Sequence, residues 1–167
     1  MSRKNSIQPS MAGESPAPIP QPLFLSGVGQ YAIDPSNRIM IPPEWRAQGL
    51  PPHLFVVLAP ADDHLVVCPL EDLHALLTRL RINPKYEDKI SQLERELNDR
   101  VRTVDMDRFG RLPLPPEFLA RAKFGKQGCL IGRFCSKFEV WPPEKYQALQ
   151  NESKTTPSPL DDELSNF

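Results

Sequence analysis

The feature that most constrains this fold is an internal duplication. Ile33 to Trp45 runs I-D-P-S-N-R-I-M-I-P-P-E-W, and Met106 to Phe118 runs M-D-R-F-G-R-L-P-L-P-P-E-F. Laid over each other 73 residues apart, Asp34 meets Asp107, Arg38 meets Arg111, and Pro42-Pro43-Glu44 meets Pro115-Pro116-Glu117. The same offset continues through Ala47/Ala120, Val67/Val140, Pro69/Pro142, Glu71/Glu144 and Ala75/Ala148 to Leu76/Leu149. A fixed offset held this long means one structural unit made twice, and restricts the chain to folds in which two like halves complete each other.

Within each copy the order of elements follows from residue type. Asp opens a turn, because its carboxylate accepts backbone N–H groups two residues on. The fourth position counted from that Asp is Asn37 in one copy and Gly110 in the other, the residue types that best tolerate positive φ. An apolar segment follows. Pro-Pro-Glu then marks a helix start, with proline at a first helical position and an acid in the first turn. Each copy is therefore strand, tight turn, strand and short helix, with Arg38 or Arg111 just past the turn. Pro113 removes one backbone donor from its strand and places that strand at an edge.

Phe55–Leu58 and Leu65–Cys68 are apolar runs joined by a turn over Ala59–His64, a hairpin whose counterpart pairs Cys129–Ile131 with Phe138–Trp141. Pro69 starts a helix with Leu73, Leu76, Leu77 and Leu80 at helical spacing. Asn83-Pro84 breaks it. A second helix places Tyr86, Ile90, Leu93 and Leu97 on one face and alternating charge on the other, a stripe that fits packing on the chain's own body or a seam between subunits. The expected organisation is a Pro-rich disordered tail over 1–23, a first repeat over 24–76, a linker helix over 77–100, a second repeat over 101–149 and an acidic flexible tail over 150–167. Neither repeat closes a core alone. The fold class expected is mainly β with short helices, α+β, as one β-barrel with internal pseudo-two-fold symmetry.

Composition narrows the function. The 167 residues are 40% hydrophobic with a net charge of −1, so no overall basic excess announces nucleic acid. Any DNA-binding face must come from local clustering or from repetition of a modest patch in an oligomer. Three cysteines without paired spacing fit small buried hydrophobes in a reducing cytosol. No apolar run approaches the roughly 20 residues that span a bilayer, and the N-terminal stretch has no apolar core of a secretory signal. His53, His64 and His74 lack metal-ligand spacing, so no metal and no cofactor is expected. There is no nucleophile elbow, phosphate loop or dinucleotide fingerprint, so no enzyme and no small-molecule substrate is expected.

Two D-x-x-x-R segments, each followed by an apolar strand and proline, resemble the MraZ family of bacterial transcriptional regulators. So do the lead-in Phe24-Leu25-Ser26-Gly27 and the stretch Ile131-Gly132-Arg133-Phe134 through Phe138-Glu139-Val140-Trp141. The likeness covers Phe24 to Leu149; the first copy departs from it in having Asn37 where glycine is usual. The resemblance implies a swapped-hairpin barrel of the SpoVT–AbrB type. It also implies a cytoplasmic, nucleoid-associated, ring-like homo-oligomer that binds short repeats of double-stranded DNA upstream of its own operon, in the division and cell-wall gene cluster, mainly as a repressor.

The candidate DNA-binding residues are Arg38 and Arg111, with Asn37 and Gly110 in their turns and Arg46 and Arg121 widening the patch; Lys123 and Lys126 follow the second turn unit. Arginine on a rigid turn can bond guanine edges or phosphate bidentately. Asp34 and Asp107 shape the turns. The competing reading makes each Asp–Arg pair a turn-closing ion pair, and the chain an antitoxin-like or scaffold barrel that captures a protein without reading DNA.

Overall fold

The structure, a computed structural model, describes Gly13 and residues 21–167. The tail expected over 1–23 otherwise lies outside the described residues. The first copy comprises β1 (Val28–Ala32), β2 (Arg38–Met40), helix α1 (Pro43–Arg46), β3 (His53–Leu58), β4 (Leu65–Cys68) and helix α2 (Leu70–Ile82). A 3₁₀ turn over Pro84–Lys89 and helix α3 (Ile90–Arg100) lead to the second copy. That copy is β5 (Val101–Asp105), β6 (Arg111–Pro113), α4 (Pro116–Arg121), β7 (Gln127–Gly132), β8 (Phe138–Trp141) and α5 (Pro143–Thr155), with α6 (Pro159–Ser165) after it.

Six strands form one antiparallel sheet in the order β1-β7-β8-β4-β3-β5, and β2 pairs with β6 in a separate two-stranded ribbon. The order is a palindrome under exchange of the copies. Each copy's first strand pairs with the other copy's hairpin, β1 on β7 and β5 on β3, and the hairpins meet at β4 and β8. The closed barrel expected from the sequence is corrected here. The described strands make an open sheet with β1 and β5 at its edges. The strands that would bridge those edges, β2 and β6, are three residues long. Pro42 and Pro115 follow after one more residue and turn the chain into helix.

The gap-free offset also needs correction. Val66 and Glu139 are 73 residues apart, but their hairpin partners Val57 and Ile131 are 74 apart. One residue is gained before β7 and lost in the turn after it. A one-residue slip would turn a strand's buried set outward. With the shift, Leu54 matches Gly128 and Val56 matches Leu130, all buried.

The core is built from equivalent pairs. Ile39 and Leu112, Ile41 and Leu114, Trp45 and Phe118, Leu65 and Phe138, and Val67 and Val140 are all buried. Full burial of a side chain such as Phe118 contributes about 1.5–3 kcal/mol. Trp45 also donates its Nε1–H to the Ser26 carbonyl at 2.9 Å and lies 5.1 Å from the Phe138 ring. Helix α3 turns its apolar face inward. Leu77 and Leu80 of α2 meet Ile90 and Leu93, while Leu97 shares a groove with Phe55 and Val101. The linker stripe thus faces its own chain and is half-buried there. Residues 150–167, expected to form a flexible tail, carry the end of α5 and the short α6, which Ser158 caps by accepting from the Leu160 N–H.

Candidate nucleic-acid interface

The two D-x-x-x-R turns have the same geometry. Asp34 Oδ1 accepts from the backbone N–H groups of Ser36 and Arg38, each at 2.9 Å, and its Oδ2 accepts from Arg38 Nε at 2.9 Å. Asp107 accepts from the N–H groups of Phe109 and Arg111, each at 2.9 Å, and from Arg111 Nε at 2.8 Å. Asn37 has φ 61° and Gly110 φ 84°, so both occupy the left-handed position that the sequence indicates. The backbone N–H of Arg38 or Arg111, more than any other partner, holds each carboxyl below its ordinary pKa; the guanidinium adds to this, against some desolvation.

The turns are locked to each other. Ile41 N–H donates to the Gly110 carbonyl at 2.9 Å, and Leu114 N–H donates to the Asn37 carbonyl at 2.8 Å. Arg38 Nη1 also reaches Asp107 Oδ2 at 3.5 Å, so it spans both turns. On the ribbon, Arg38 faces Pro113 and Met40 faces Arg111. The period of two sends Ile39 and Leu112 into the core and leaves these four facing outward. Pro113 is thus on an edge strand.

Arg46 joins this site. Its Nε donates to the Ile41 carbonyl at 3.2 Å, and its guanidinium lies across Gly110, where a Cβ would fall 2.4 Å from Arg46 Cζ. Arg121 does not join. It pairs with Asp62 at 3.3 Å and Asp99 at 3.2 Å, in a network that also holds Arg100. Burial disfavours the Arg121 charge, but the two carboxylates outweigh it and raise its pKa. Lys123 lies just past α4 with φ 60°, and the Lys126 carbonyl accepts from the Ile33 N–H, just ahead of the first turn.

Sequence reasoning missed Arg108, Phe109 and Met40. Phe109 is 55% exposed, with Arg108 Cζ 4.7 Å and Arg111 Cζ 5.1 Å from its ring centroid. These positions escaped notice because the duplication highlights identities, and the residues facing Arg108 and Phe109 in the first copy are Pro35 and Ser36. Arg38, Arg46, Arg108 and Arg111 stand here against Asp34 and Asp107. The ribbon and its turns, with Arg46 beside them, therefore form an outward-facing, locally basic surface on a chain with a net charge of −1.

Elsewhere, burial pushes the Cys68 thiol up to about 11 and also raises Cys129, which keeps both protonated. No group of three or more His, Cys, Asp or Glu side chains among the described residues is arranged to hold a metal ion. No helix among them is long and apolar enough to cross a membrane.

Residues 101–163 match a family model described as "MraZ protein, putative antitoxin-like". The chain is 26% identical over 148 residues to the transcriptional regulator MraZ of Azotobacter vinelandii, covering 84% of this chain and 97% of that protein. It is 26% identical over 147 residues to the protein of the same name from Pseudomonas aeruginosa strain LESB58, with the same coverage. Against that of Pseudomonas fluorescens strain SBW25 it is 25% identical over 126 residues, or 74% of this chain and 83% of that protein.

Proposed function

We propose, from the match of residues 101–163 to the MraZ family model, that this chain is a DNA-binding transcriptional regulator. The observation that carries the reading is the pair of equivalent Asp–Arg turns, joined by reciprocal backbone bonds at 2.9 and 2.8 Å. They mount Arg38 and Arg111 on a two-stranded ribbon, an element that the major groove of DNA admits, and Arg46 of α1 lies across Gly110 beside them. Arg38 and Arg111 contact bases or phosphates, Asp34 and Asp107 set their pose, and Asn37 and Gly110 shape the turn. Arg121 is assigned to the ion-pair network instead.

The finer reading is that the chain works as a ring-like homo-oligomer of swapped-hairpin units in the cytoplasm, associated with the nucleoid. It binds short direct repeats upstream of its own operon in the division and cell-wall gene cluster and represses it, without catalysis or a small-molecule substrate. Several modest patches on one ring multiply affinity when the boxes match their spacing. Light scattering at micromolar concentration is expected to give a mass several times 18.9 kDa.

A second reading rests on the same turns. Each guanidinium is already engaged by a carboxylate, so the arginines would be structural and the chain an antitoxin-like or scaffold module. Arg38→Ala and Arg111→Ala separate the two. A lost base contact costs about 1–3 kcal/mol, the salt slope of binding flattens as fewer counterions are released, and melting temperature changes little, as for other partly exposed ion pairs. Arg38→Ala has the larger effect, since Arg38 reaches both turns. A double variant that melts early, and loses DNA only in proportion to lost fold, favours the structural reading. One that stays folded and binds the upstream DNA at full affinity removes the site assignment.

A further inference from the structure

The two turns are equivalent in backbone and in their Asp–Arg pairs, yet their tips differ. The first carries Pro35-Ser36 and the second Arg108-Phe109. A lone exposed aromatic on a protein surface is ordinary. This one is fixed. Its backbone N–H is bonded to Asp107, and its ring lies near two guanidinium groups, at 4.7 and 5.1 Å, which orient it through cation–π attraction. Arg111 is further pinned by Asp107, and its cross-strand neighbour Met40 is 38% exposed. The result is an apolar tip flanked by cations at the mouth of the ribbon.

We propose that Phe109 is a base-reading contact, packing against a thymine 5-methyl group in the major groove while Arg108 and Arg111 meet the neighbouring phosphates. The proposal rests on the DNA-binding reading of the turns. Apolar side chains read thymine through its methyl, the one feature of the groove edge that hydrogen bonding does not register. The ring adds what the pseudo-symmetric arginines cannot, a difference between the two ends of the ribbon. Arg38 and Arg111 alone present a near-dyad surface, which suits a palindrome. With Ser36 at one tip and Phe109 at the other, the ribbon has a preferred direction on the duplex.

The test uses the full chain and a fluorescent duplex of the intergenic DNA immediately upstream of the gene, titrated at two salt concentrations. Phe109→Ser copies the first turn and is expected to weaken binding roughly tenfold, the worth of a large apolar contact. The salt slope should stay unchanged, because the ring releases no counterions. Replacing thymidines one at a time by deoxyuridine should reveal a position that weakens the unaltered chain about fourfold, the value of one buried methyl. The same replacement should leave Phe109→Ser unaffected. The proposal is overturned if Phe109→Ser binds like the unaltered chain while Arg38→Ala loses affinity, or if each deoxyuridine costs both proteins equally. It is also overturned if Phe109→Ser changes the oligomer mass, which would make the ring a contact between copies. If the unaltered chain does not prefer this duplex to a random one of equal length, the DNA-binding reading itself fails.

Discussion

At the scale of single residues, equivalence of position does not make the two turns interchangeable. Asn37 and Gly110 both have positive φ, but only at Gly110 does a neighbouring guanidinium occupy the space of a Cβ. Asn37→Gly is therefore expected to change stability by less than about 0.5 kcal/mol, since glycine enters that region without strain. Gly110→Ala should cost about 1–2 kcal/mol for the left-handed conformation, and it should also displace Arg46. Asn37→Val should cost more than Asn37→Gly, because a β-branched residue is a genuine outlier there. Thermal melts of the three variants check the order; equal melting temperatures for Val and Gly at position 37 would contradict the turn geometry.

Between elements, one contact ties the turn of the β3–β4 hairpin to β8. The His64 ring stacks on Trp141 at 4.1 Å and 4°. Its Nδ1 lies 2.6 Å from Asp63 Oδ1 and its Nε2 lies 3.6 Å from Glu139 Oε2. Glu139 also accepts from Trp141 Nε1 at 3.0 Å and pairs with Arg133 at 2.6 Å. His64, then desolvation in opposition, then Trp141 and Arg133 govern the Glu139 carboxyl, which is held down to about 2. Desolvation disfavours the His64 charge, but Glu139 and Asp63 outweigh it and raise its pKa. A raised histidine pKa stabilises the fold fully below its unfolded value, near 6.5, and the gain is lost as pH rises through the higher folded value. A depressed carboxyl stabilises above its unfolded value, near 4.5, and the gain is lost as pH falls toward about 2. The clasp is therefore strongest between those unfolded values. Raising the pH from 5.5 to 8.5 is expected to lower Tm, as the His64 contribution is lost. His64→Gln should flatten that part of the profile. An unchanged slope in the variant would show that His64 is not its source.

Across the whole molecule, neither half has a complete sheet of its own. β7 takes β1 as its outer neighbour and β3 takes β5, while β4 and β8 join at the centre. Cutting between the copies leaves each hairpin with an open edge on both sides, and the ribbon loses one of its two strands. Residues 101–167 alone are expected to be unfolded as a monomer, or to fold only by pairing with a second copy of themselves. Circular dichroism with light scattering distinguishes these outcomes from a folded monomer, which would contradict the mutual completion described here. Adding residues 21–100 as a separate chain should restore the sheet.

The sequence alone determined the duplication, the turn chemistry, the hairpins and the helix starts, because each depends on residues near one another along the chain. Asp at the head of the turn, Asn or Gly at its left-handed position, and Pro-Pro-Glu at the helix start are local choices with local reasons. Arg38 and Arg111 were legible as candidates because duplication marked them. Tertiary structure alone decided what depends on partners distant in sequence. It pairs β1 with β7 and β5 with β3, leaves the sheet open where a barrel was expected, and shifts β7 by one residue to keep its buried face inward. It also sends Arg46 across Gly110 and Arg121 to Asp62 and Asp99, although both arginines follow the turn units as surface charges of the same kind. A long side chain's neighbours are set by how distant segments pack, and its position in the sequence does not carry that information.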